Sequence, residues 1–274
     1  MRAPAGLATT GTASSRAPGV GLGDQRAWYL IAQLALKDFK IRYSHAVLGY
    51  VWSVLNPLLF CIIYYIVFAK FVRFEVFGYP GYLLLGIVLW NFFAEGSSHG
   101  ASALLARAGI VTKIPMRRHL VVYAAVLNAF ITFAINLVVL AGVLWAIGMR
   151  VSLPAVTFPV AVADLVLLTL GLSLMLAPLQ VRYRDVGHLW GIVLQLGFWL
   201  TPIIYQDTIV PAQWRWFVDF NPMARIISHS REALIWGTWT SPQILMETTL
   251  FSLAVLVAGS LVFQRMEARL VEYY

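Results

Sequence analysis

Residues 120–149, with the sequence LVVYAAVLNAFITFAINLVVLAGVLWAIGM, contain no acidic or basic side chain. The hydrocarbon core of a membrane is about 30 Å thick, and a helix needs about 20 apolar residues to cross it. Lipid offers no partner for a free backbone N–H or C=O group, so a stretch of this kind must be helical there. The stretch therefore predicts a membrane-spanning helix.

Five other stretches share this lack of charge, although one of them carries a single acid, Asp164. They are residues 46–69, 76–94, 151–181, 186–206 and 248–264. They are apolar on all sides rather than along one stripe, which argues against a soluble helical core, and the chain is 60% hydrophobic. We expect an all-α integral membrane protein with six transmembrane helices. The expected spans are about 48–69, 80–105, 120–148, 154–180, 187–206 and 244–264.

The distribution of basic residues predicts the orientation of these helices. With a cytoplasmic N-terminus, 14 of the 20 Lys and Arg residues fall on the cytoplasmic side and six on the outer side. Basic residues are enriched in cytoplasmic loops, so both termini are expected in the cytoplasm. The net charge of +8 then indicates contact with an anionic lipid leaflet, not with nucleic acid.

The N-terminal region has two parts. Residues 1–25 are rich in Ala, Gly, Ser and Thr and are expected to be a disordered tail, so that residues 26–274 form one transmembrane domain. Over 26–43, apolar residues recur at helical spacing, which predicts an amphipathic helix on the inner membrane surface. This helix either only anchors the chain or also touches a cytoplasmic partner.

Cys61 is the single cysteine, so the chain has no internal disulfide.

Polar residues inside the predicted spans are candidates for packing or for function. Asn56-Pro57 is expected to kink the first span, and the amides of Asn128 and Asn136 need partners from other helices. Asp164 lies ten residues beyond Pro154, about 15 Å along a helix and so near the bilayer centre. Such an acid is expected to face the bundle interior or a watery path. It is either a protonated packing residue or a functional group.

The outer segment over residues 206–247 is unusually rich in tryptophan. It contains four of the ten tryptophans: Trp214, Trp216, Trp236 and Trp239. Asn221-Pro222 predicts the start of a short helix, and Gly237 predicts its end. The aromatic residues either form a belt that anchors the loop in the membrane interface, or they form a lid or a platform on which sugar rings stack.

Sequence signatures of catalysis are missing from the chain. The dipeptide Gly-Lys never occurs, so there is no phosphate-binding loop. There is no HExxH motif and no Cys/His metal cluster, and the five histidines are scattered. We therefore expect no catalytic residue, no metal site and no cofactor in this chain, and any energy source must sit on another polypeptide.

Several further segments stand out along the chain. In order, they are LKDFKIRY (36–43), LGYVWSVLNPL (48–58), LWNFF (89–93), GIVTKIP (109–115), VRYRDV (181–186), TPIIY (201–205), WRW (214–216) and NP (221–222). Together these segments resemble the membrane subunit of ABC type-2 transporters that export polysaccharides, O-antigens and teichoic acids. The resemblance covers about residues 28–236.

The resemblance implies how such a chain would work. The chain would form a homodimer with a channel between the protomers, and would bind two copies of a cytoplasmic ATPase that carries ATP and Mg²⁺. The cargo would be a polysaccharide on a polyprenyl diphosphate lipid, moved to the outer face of the bacterial inner membrane. Two alternatives stay open: a type-2 exporter of drugs or lipids, and a polytopic membrane enzyme acting on glycosyl lipids.

The resemblance also implies roles for individual residues. Contact with the ATPase is expected of Lys37, Asp38, Arg42, Tyr43, Arg107, Gly109, Lys113, Pro115, Tyr183, Arg184 and Asp185. Short outer gate helices between the fifth and sixth spans are expected to include Tyr205, Trp214, Trp216, Asn221 and Pro222. The candidates for the channel lining are Trp52, Asn56, Asn128 and Asp164.

Overall fold

The computed structural model describes Tyr29 and residues 31–36, 51–73, 76–111, 117–149 and 152–267. Every regular element in these ranges is a helix, as expected for an all-α protein. The α-helices are α1 (described over 31–36), α2 (Val51–Tyr64), α3 (Tyr79–Ala106), α4 (Ala108–Val111), α5 (His119–Ala146), α6 (Phe158–Arg182), α7 (Val186–Leu200), α8 (Trp216–Asp219), α9 (Pro222–Arg231) and α10 (Pro242–Glu267). Two π-helical segments, Tyr65–Phe71 and Glu232–Trp236, extend α2 and α9.

Four helical stretches are long and apolar enough to cross a membrane. They are Val51–Phe71, His119–Ala146, Leu153–Arg182 and Pro242–Glu267. The second expected span is occupied by α3, which is also 28 residues long but carries polar side chains such as Asn91, Glu95 and His99. Most of α3 is buried by other helices, whereas Asn91, Glu95 and His99 lie on its partly exposed face. The count of six spans stays a prediction.

The fifth expected span is shorter than predicted. The sequence predicts a helix over 187–206, but α7 ends at Leu200 after 15 residues. Thr201 has an extended backbone, with ψ of 133°. A residue before proline is pushed away from the helical region, so Pro202 explains the early end. The residues up to Tyr205 instead form turns and bends that contact the first turns of α3.

Small residues let α3, α6 and α10 pack closely at the centre of the bundle. A Cβ atom added to Gly96 would lie 2.7 Å from Cγ2 of Thr169, and one added to Gly100 would meet the Ser173 hydroxyl. Gly171 and Gly259 bring the backbones of α6 and α10 into contact. Such small-residue contacts are typical of helix packing inside membranes.

The bundle has two chemically different ends. At one end lies the cap segment, residues 201–241, which includes α8 and α9. At the other, here called the basic end, α3, α6 and α10 finish and α5 begins. There Arg118 donates through Nη1 to the carbonyl of Glu267 at 2.9 Å, which ties the start of α5 to the end of α10.

Candidate functional site: a polar groove and its cap

A groove with polar walls runs between α2, α3 and α5. Two adjacent cavities of about 460 and 280 Å³ both have His99 in their lining, and together they are here called the groove. Its polar lining residues are Ser53, Asn56, Asn91, Glu95, His99, Ser102, Arg107, Asn128, Thr132 and Asn136, and Trp52 and Phe60 add aromatic surface. The groove extends from the middle of α3 and α5 to the basic end.

The spacing of these polar residues explains why they meet. On α3, Asn91, Glu95 and His99 are four residues apart, and on α5 the same spacing separates Asn128, Thr132 and Asn136. Residues four apart lie on one face of a helix, so each helix presents a polar stripe. The two stripes face each other across the groove.

Three buried polar atoms of the groove residues lack a partner among the residues that the structure describes. Asn136 donates through Nδ2 to the carbonyl of Thr132 at 3.0 Å. Oδ1 of Asn128, Oγ1 of Thr132 and Oδ1 of Asn136 have no hydrogen-bond partner there. An unpaired buried polar group costs about 1–3 kcal/mol. A water or a ligand that reached these oxygens would therefore gain a hydrogen bond.

Charged groups occupy the half of the groove nearer the basic end. Nδ1 of His99 lies 3.8 Å from Oε1 of Glu95, and the two side chains are 39% and 25% exposed. Further along, Arg107 directly follows α3 and donates through Nη1 to the carbonyl of Val121 at 3.2 Å. Burial lowers the pKa of Arg107. Charge in the groove is thus concentrated towards one end.

The structure separates the four candidate channel residues. Trp52, Asn56 and Asn128 all line the groove. Asp164 does not: it is buried between α6 and α10, where its Oδ2 accepts a hydrogen bond from the Thr249 hydroxyl at 3.1 Å. Its burial agrees with the expectation for an acid at this depth, but its place in a channel stays a prediction.

Most of the groove on α3 was not predicted from the sequence. The candidate site residues included none of Asn91, Glu95, His99 and Ser102. The four-residue spacing from Asn91 to His99 is the signal that points to this surface, because a polar stripe in an apolar helix must face other protein or a ligand.

A buried arginine fixes the cap segment to α3. Arg231 is 3% exposed. Its Nη1 donates to the carbonyl of Pro202 at 2.6 Å, and its Nη2 donates to those of Ile203 at 2.7 Å and Tyr82 at 3.3 Å. The guanidinium carbon lies 3.3 Å from the centre of the Tyr82 ring, a cation–π contact. Burial lowers the pKa of Arg231 to about 10, so the side chain stays charged at neutral pH.

Two tyrosines strengthen this attachment, and Asn221 holds the cap segment together internally. The Tyr79 hydroxyl donates to the carbonyl of Ile204 at 2.9 Å, and the Tyr82 hydroxyl donates to that of Tyr205 at 2.8 Å. Asn221 accepts from the backbone N–H of Met223 at 3.0 Å and donates to the Thr201 hydroxyl at 2.9 Å. As the sequence predicts, α9 begins at Pro222 with Asn221 as its N-cap residue, and Gly237, with φ of 63°, ends the helical segment.

The other candidate gate residues form an exposed aromatic surface on the cap segment. Trp214 and Trp216 are each 51% exposed and both stack on Phe217, with ring centres 5.9 and 3.7 Å apart. Tyr205 is half-buried and donates to the carbonyl of Trp199 at 3.0 Å. The arrangement suits either an interfacial belt or a stacking platform, and the gating role stays a prediction.

The residues expected to contact an ATPase are only partly covered by the structure. Lys37, Asp38, Arg42, Tyr43, Lys113 and Pro115 lie outside the described residues. Gly109 is exposed, and so is the turn between α6 and α7 that contains Tyr183, Arg184 and Asp185. The basic end of the bundle contains this turn, Gly109 and Arg107. A single docking face would require these residues to lie at the same end.

Comparisons with known proteins are consistent with this architecture. The sequence model of the ABC-2 type transporter family matches residues 29–235. An O-antigen export system permease protein, RfbA, of Klebsiella pneumoniae is 29% identical over 245 residues, 89% of this chain and 94% of the relative. RfbA of Myxococcus xanthus is 27% identical over 237 residues, 86% and 91% of the two chains. The polysialic acid transport protein KpsM of Escherichia coli is 20% identical over 240 residues, 86% and 93% of the two chains.

Proposed function

Because the chain belongs to the ABC-2 type transporter family and is a multi-pass membrane protein, we propose that it is the membrane subunit of an ATP-driven polysaccharide exporter. Its cargo is a cell-envelope glycan on a polyprenyl diphosphate lipid, such as an O-antigen or a teichoic acid. It carries this cargo from the cytoplasmic to the outer face of a bacterial inner membrane. Relatives that are named as O-antigen and polysialic acid transport proteins support this cargo class.

The polar groove is the observation that carries the proposal. Its lining in the middle of the bundle consists largely of neutral amides and hydroxyls, from Asn56, Asn91, Thr132 and Asn136, with Trp52 beside them. Sugars offer many hydroxyl groups, which bond to amides, and apolar ring faces, which stack on aromatic rings. The buried oxygens of Asn128, Thr132 and Asn136 lack a partner among the described residues, and each would gain one from a hydrated or glycan ligand that reached it.

The proposed assembly has two copies of this chain and two ATPase subunits. Six helices per chain cross the membrane, both termini are cytoplasmic, and the basic end faces the ATPases. ATP and Mg²⁺ bind to the ATPases, since this sequence has no phosphate-binding loop. The exposed turn at Tyr183, Arg184 and Asp185, together with Gly109, provides part of the docking face.

A complementation experiment tests the function. The gene is deleted in its host, and surface glycan and cytoplasmic lipid-linked glycan are measured by extraction and immunoblotting. We expect the deletion to abolish surface glycan and to accumulate the lipid-linked form inside. The double variant Asn56→Leu/Asn91→Leu should fail to restore export. The control Gly142→Leu should restore it, because a Cβ at Gly142 meets open space. Normal surface glycan in the deletion strain would refute the proposal.

One observation favours the alternative of a lipid or drug exporter. A cavity of about 470 Å³ between α1, α5, α6 and α10 is almost wholly apolar; its lining includes Ile31, Tyr123, Phe130 and Leu170. Removal of residues 211–236 separates the two functions. A lipid or drug exporter without this part of the cap should keep some efflux, whereas a glycan exporter should lose export.

A further inference from the structure

The end of the polar groove at the basic end has a distinct chemistry. This pocket of about 280 Å³ is lined by His99, Ser102, Ala103, Ala106, Arg107, Ala125 and Asn128. It combines a guanidinium, an imidazole, a hydroxyl and an amide, and none of its lining residues is acidic. All four polar groups can donate hydrogen bonds, which is the composition expected of a site for an anion.

Arg107 is held where it can act as the anchor of such a site. Its bond from Nη1 to the carbonyl of Val121 joins the ends of α3 and α5 and keeps the guanidinium beside the pocket. A guanidinium carries five N–H donors, so it can hold a carbonyl and an anion together. Its planar fork matches the oxygens of a phosphate group.

Asn128 supplies a second polar group to the pocket. It is 7% exposed and lines the pocket, and the Nδ2 group of its amide can donate to an anion. Its Oδ1, which has no hydrogen-bond partner within the described ranges, can only accept. The Ser102 hydroxyl donates to the carbonyl of Ser98 at 3.0 Å and can rotate towards a ligand. The pocket therefore presents polar groups from two helices, α3 and α5, that are fixed by the helices themselves.

The groove has an order of chemistry that matches one kind of molecule. Arg107 lies at the end of the bundle, where lipid headgroups are found, and His99 lies eight residues deeper, about 12 Å along α3. Beyond His99 and Glu95 the lining is neutral and rich in amides. An amphiphile with phosphate next to sugar would place its phosphate at Arg107 and its sugars along Asn91 and Asn136.

We propose that the pocket at Arg107, His99, Ser102 and Asn128 binds the diphosphate of the lipid-linked substrate. It holds the headgroup at the basic end while the first sugars enter the groove. This inference rests on the proposed function, because it assigns a part of that substrate to a part of the groove. An ordinary phospholipid headgroup and free diphosphate share the same chemistry, so the test must separate these sources.

A binding experiment on the full chain provides the test. The chain is placed in nanodiscs of phosphatidylcholine, and binding of farnesyl diphosphate is followed by calorimetry. Farnesol and inorganic diphosphate are measured in parallel. We expect farnesyl diphosphate to bind more tightly than either comparison ligand. Arg107→Gln should weaken its binding by about tenfold or more, because a charge-assisted hydrogen bond is lost.

Controls keep the result independent of folding. Arg107→Lys keeps the positive charge but loses the planar fork, so this variant should bind farnesyl diphosphate with intermediate strength. Arg182→Gln removes an exposed arginine at the end of α6 and should leave binding unchanged. Equal binding by the wild type and Arg107→Gln would overturn the site. Equal binding of inorganic diphosphate, or equal displacement by phosphatidylglycerol, would overturn its assignment to a lipid-linked diphosphate. Normal export in the deletion strain would instead overturn the function and leave the binding result intact.

Discussion

The groove and the cap segment differ in how far their buried polar side chains are paired. In the cap segment, Arg231 bonds to three carbonyls and leaves only its Nε without a partner among the described residues, and Asn221 bonds to two backbone N–H groups and Thr201. In the groove, oxygens of Asn128, Thr132 and Asn136 lack partners among the described residues. Paired groups fix one arrangement. The difference indicates a firmly held cap segment at one end of the bundle and a less fully paired polar surface in the groove.

The largest expected effect is on the stability of the cap segment when Arg231 is removed. Arg231→Met leaves the carbonyls of Pro202 and Ile203 without their donors in a buried place. We expect a loss of about 3 kcal/mol of unfolding free energy, which lowers the melting temperature by about 6–12 °C. Thermal unfolding of the detergent-solubilised chain measures it.

The control for this variant is Arg215→Met, because Arg215 is an exposed arginine of the same segment. It should change the melting temperature by no more than about 2 °C. If Arg231→Met melted like the control, the bonds to α3 would not stabilise the cap segment, and the contrast between the two regions would fail.

A smaller effect is expected from the N-cap residue of α9. Asn221→Ala removes the acceptor for the N–H groups of Met223 and Ala224 and the donor to Thr201. Loss of an N-cap side chain costs about 1 kcal/mol, and the bond to Thr201 adds a similar amount. The same thermal assay should place this variant between wild type and Arg231→Met. Asn221→Ser, which keeps an acceptor, should recover about half of the loss.

The buried histidine of the cap segment gives a pH dependence. The Thr157 hydroxyl donates to the carbonyl of Pro154, so its oxygen accepts from Nε2–H of His229 at 3.0 Å. Burial lowers the pKa of His229 below its usual value of 6.5. As the pH falls through 6.5, the unfolded chain takes up the proton first, and the folded chain loses relative stability. The charged residues Arg225 and Glu232 line the cavity beside His229. They are unchanged in every variant compared below, so they are common to all the pH profiles.

We expect a loss of up to about 1 kcal/mol between pH 7.5 and pH 5.5, seen as a lower melting temperature. His229→Gln should reduce this loss, whereas His188→Gln, which removes an exposed histidine, should retain it. An identical pH profile for the wild type and His229→Gln would show that His229 is not the group that titrates.

The sequence predicted the helices better than the surfaces between them. Residues 120–149 and 151–181 indicate helices because lipid leaves no alternative to internal backbone hydrogen bonding. The structure has α5 and α6 there. The start of α9 at Pro222 was also predictable, because Asn-Pro is a local signal. Such features depend on neighbours in the chain, so one sequence is enough to predict them.

Features that depend on distant residues were not predictable in the same way. Arg231 was counted as an outer charge, since nothing local shows that the carbonyls of Pro202 and Ile203 surround it. Its position four residues after Ile227 places it on the apolar face of α9 and is the only local sign. Asp164 was expected to face either the bundle interior or a watery path, and it is buried. Its partner Thr249 lies 85 residues away and is not specified by any local pattern.

The smallest effect on stability is expected in the groove, where the effect on transport should be large. Asn136→Leu removes an amide whose Oδ1 has no partner among the described residues and whose Nδ2 donates only to the carbonyl of Thr132 in the same helix. That carbonyl keeps its backbone helix bond, so the replacement by an apolar side chain is close to neutral. We expect a change within about 0.5 kcal/mol in the thermal assay, together with a clear loss of surface glycan in cells. Val138→Leu, at an exposed position of α5, should leave both unchanged. A large loss of stability in Asn136→Leu would mean that the groove amides hold the bundle together as the cap residues do. Unchanged export would mean that they do not meet the cargo.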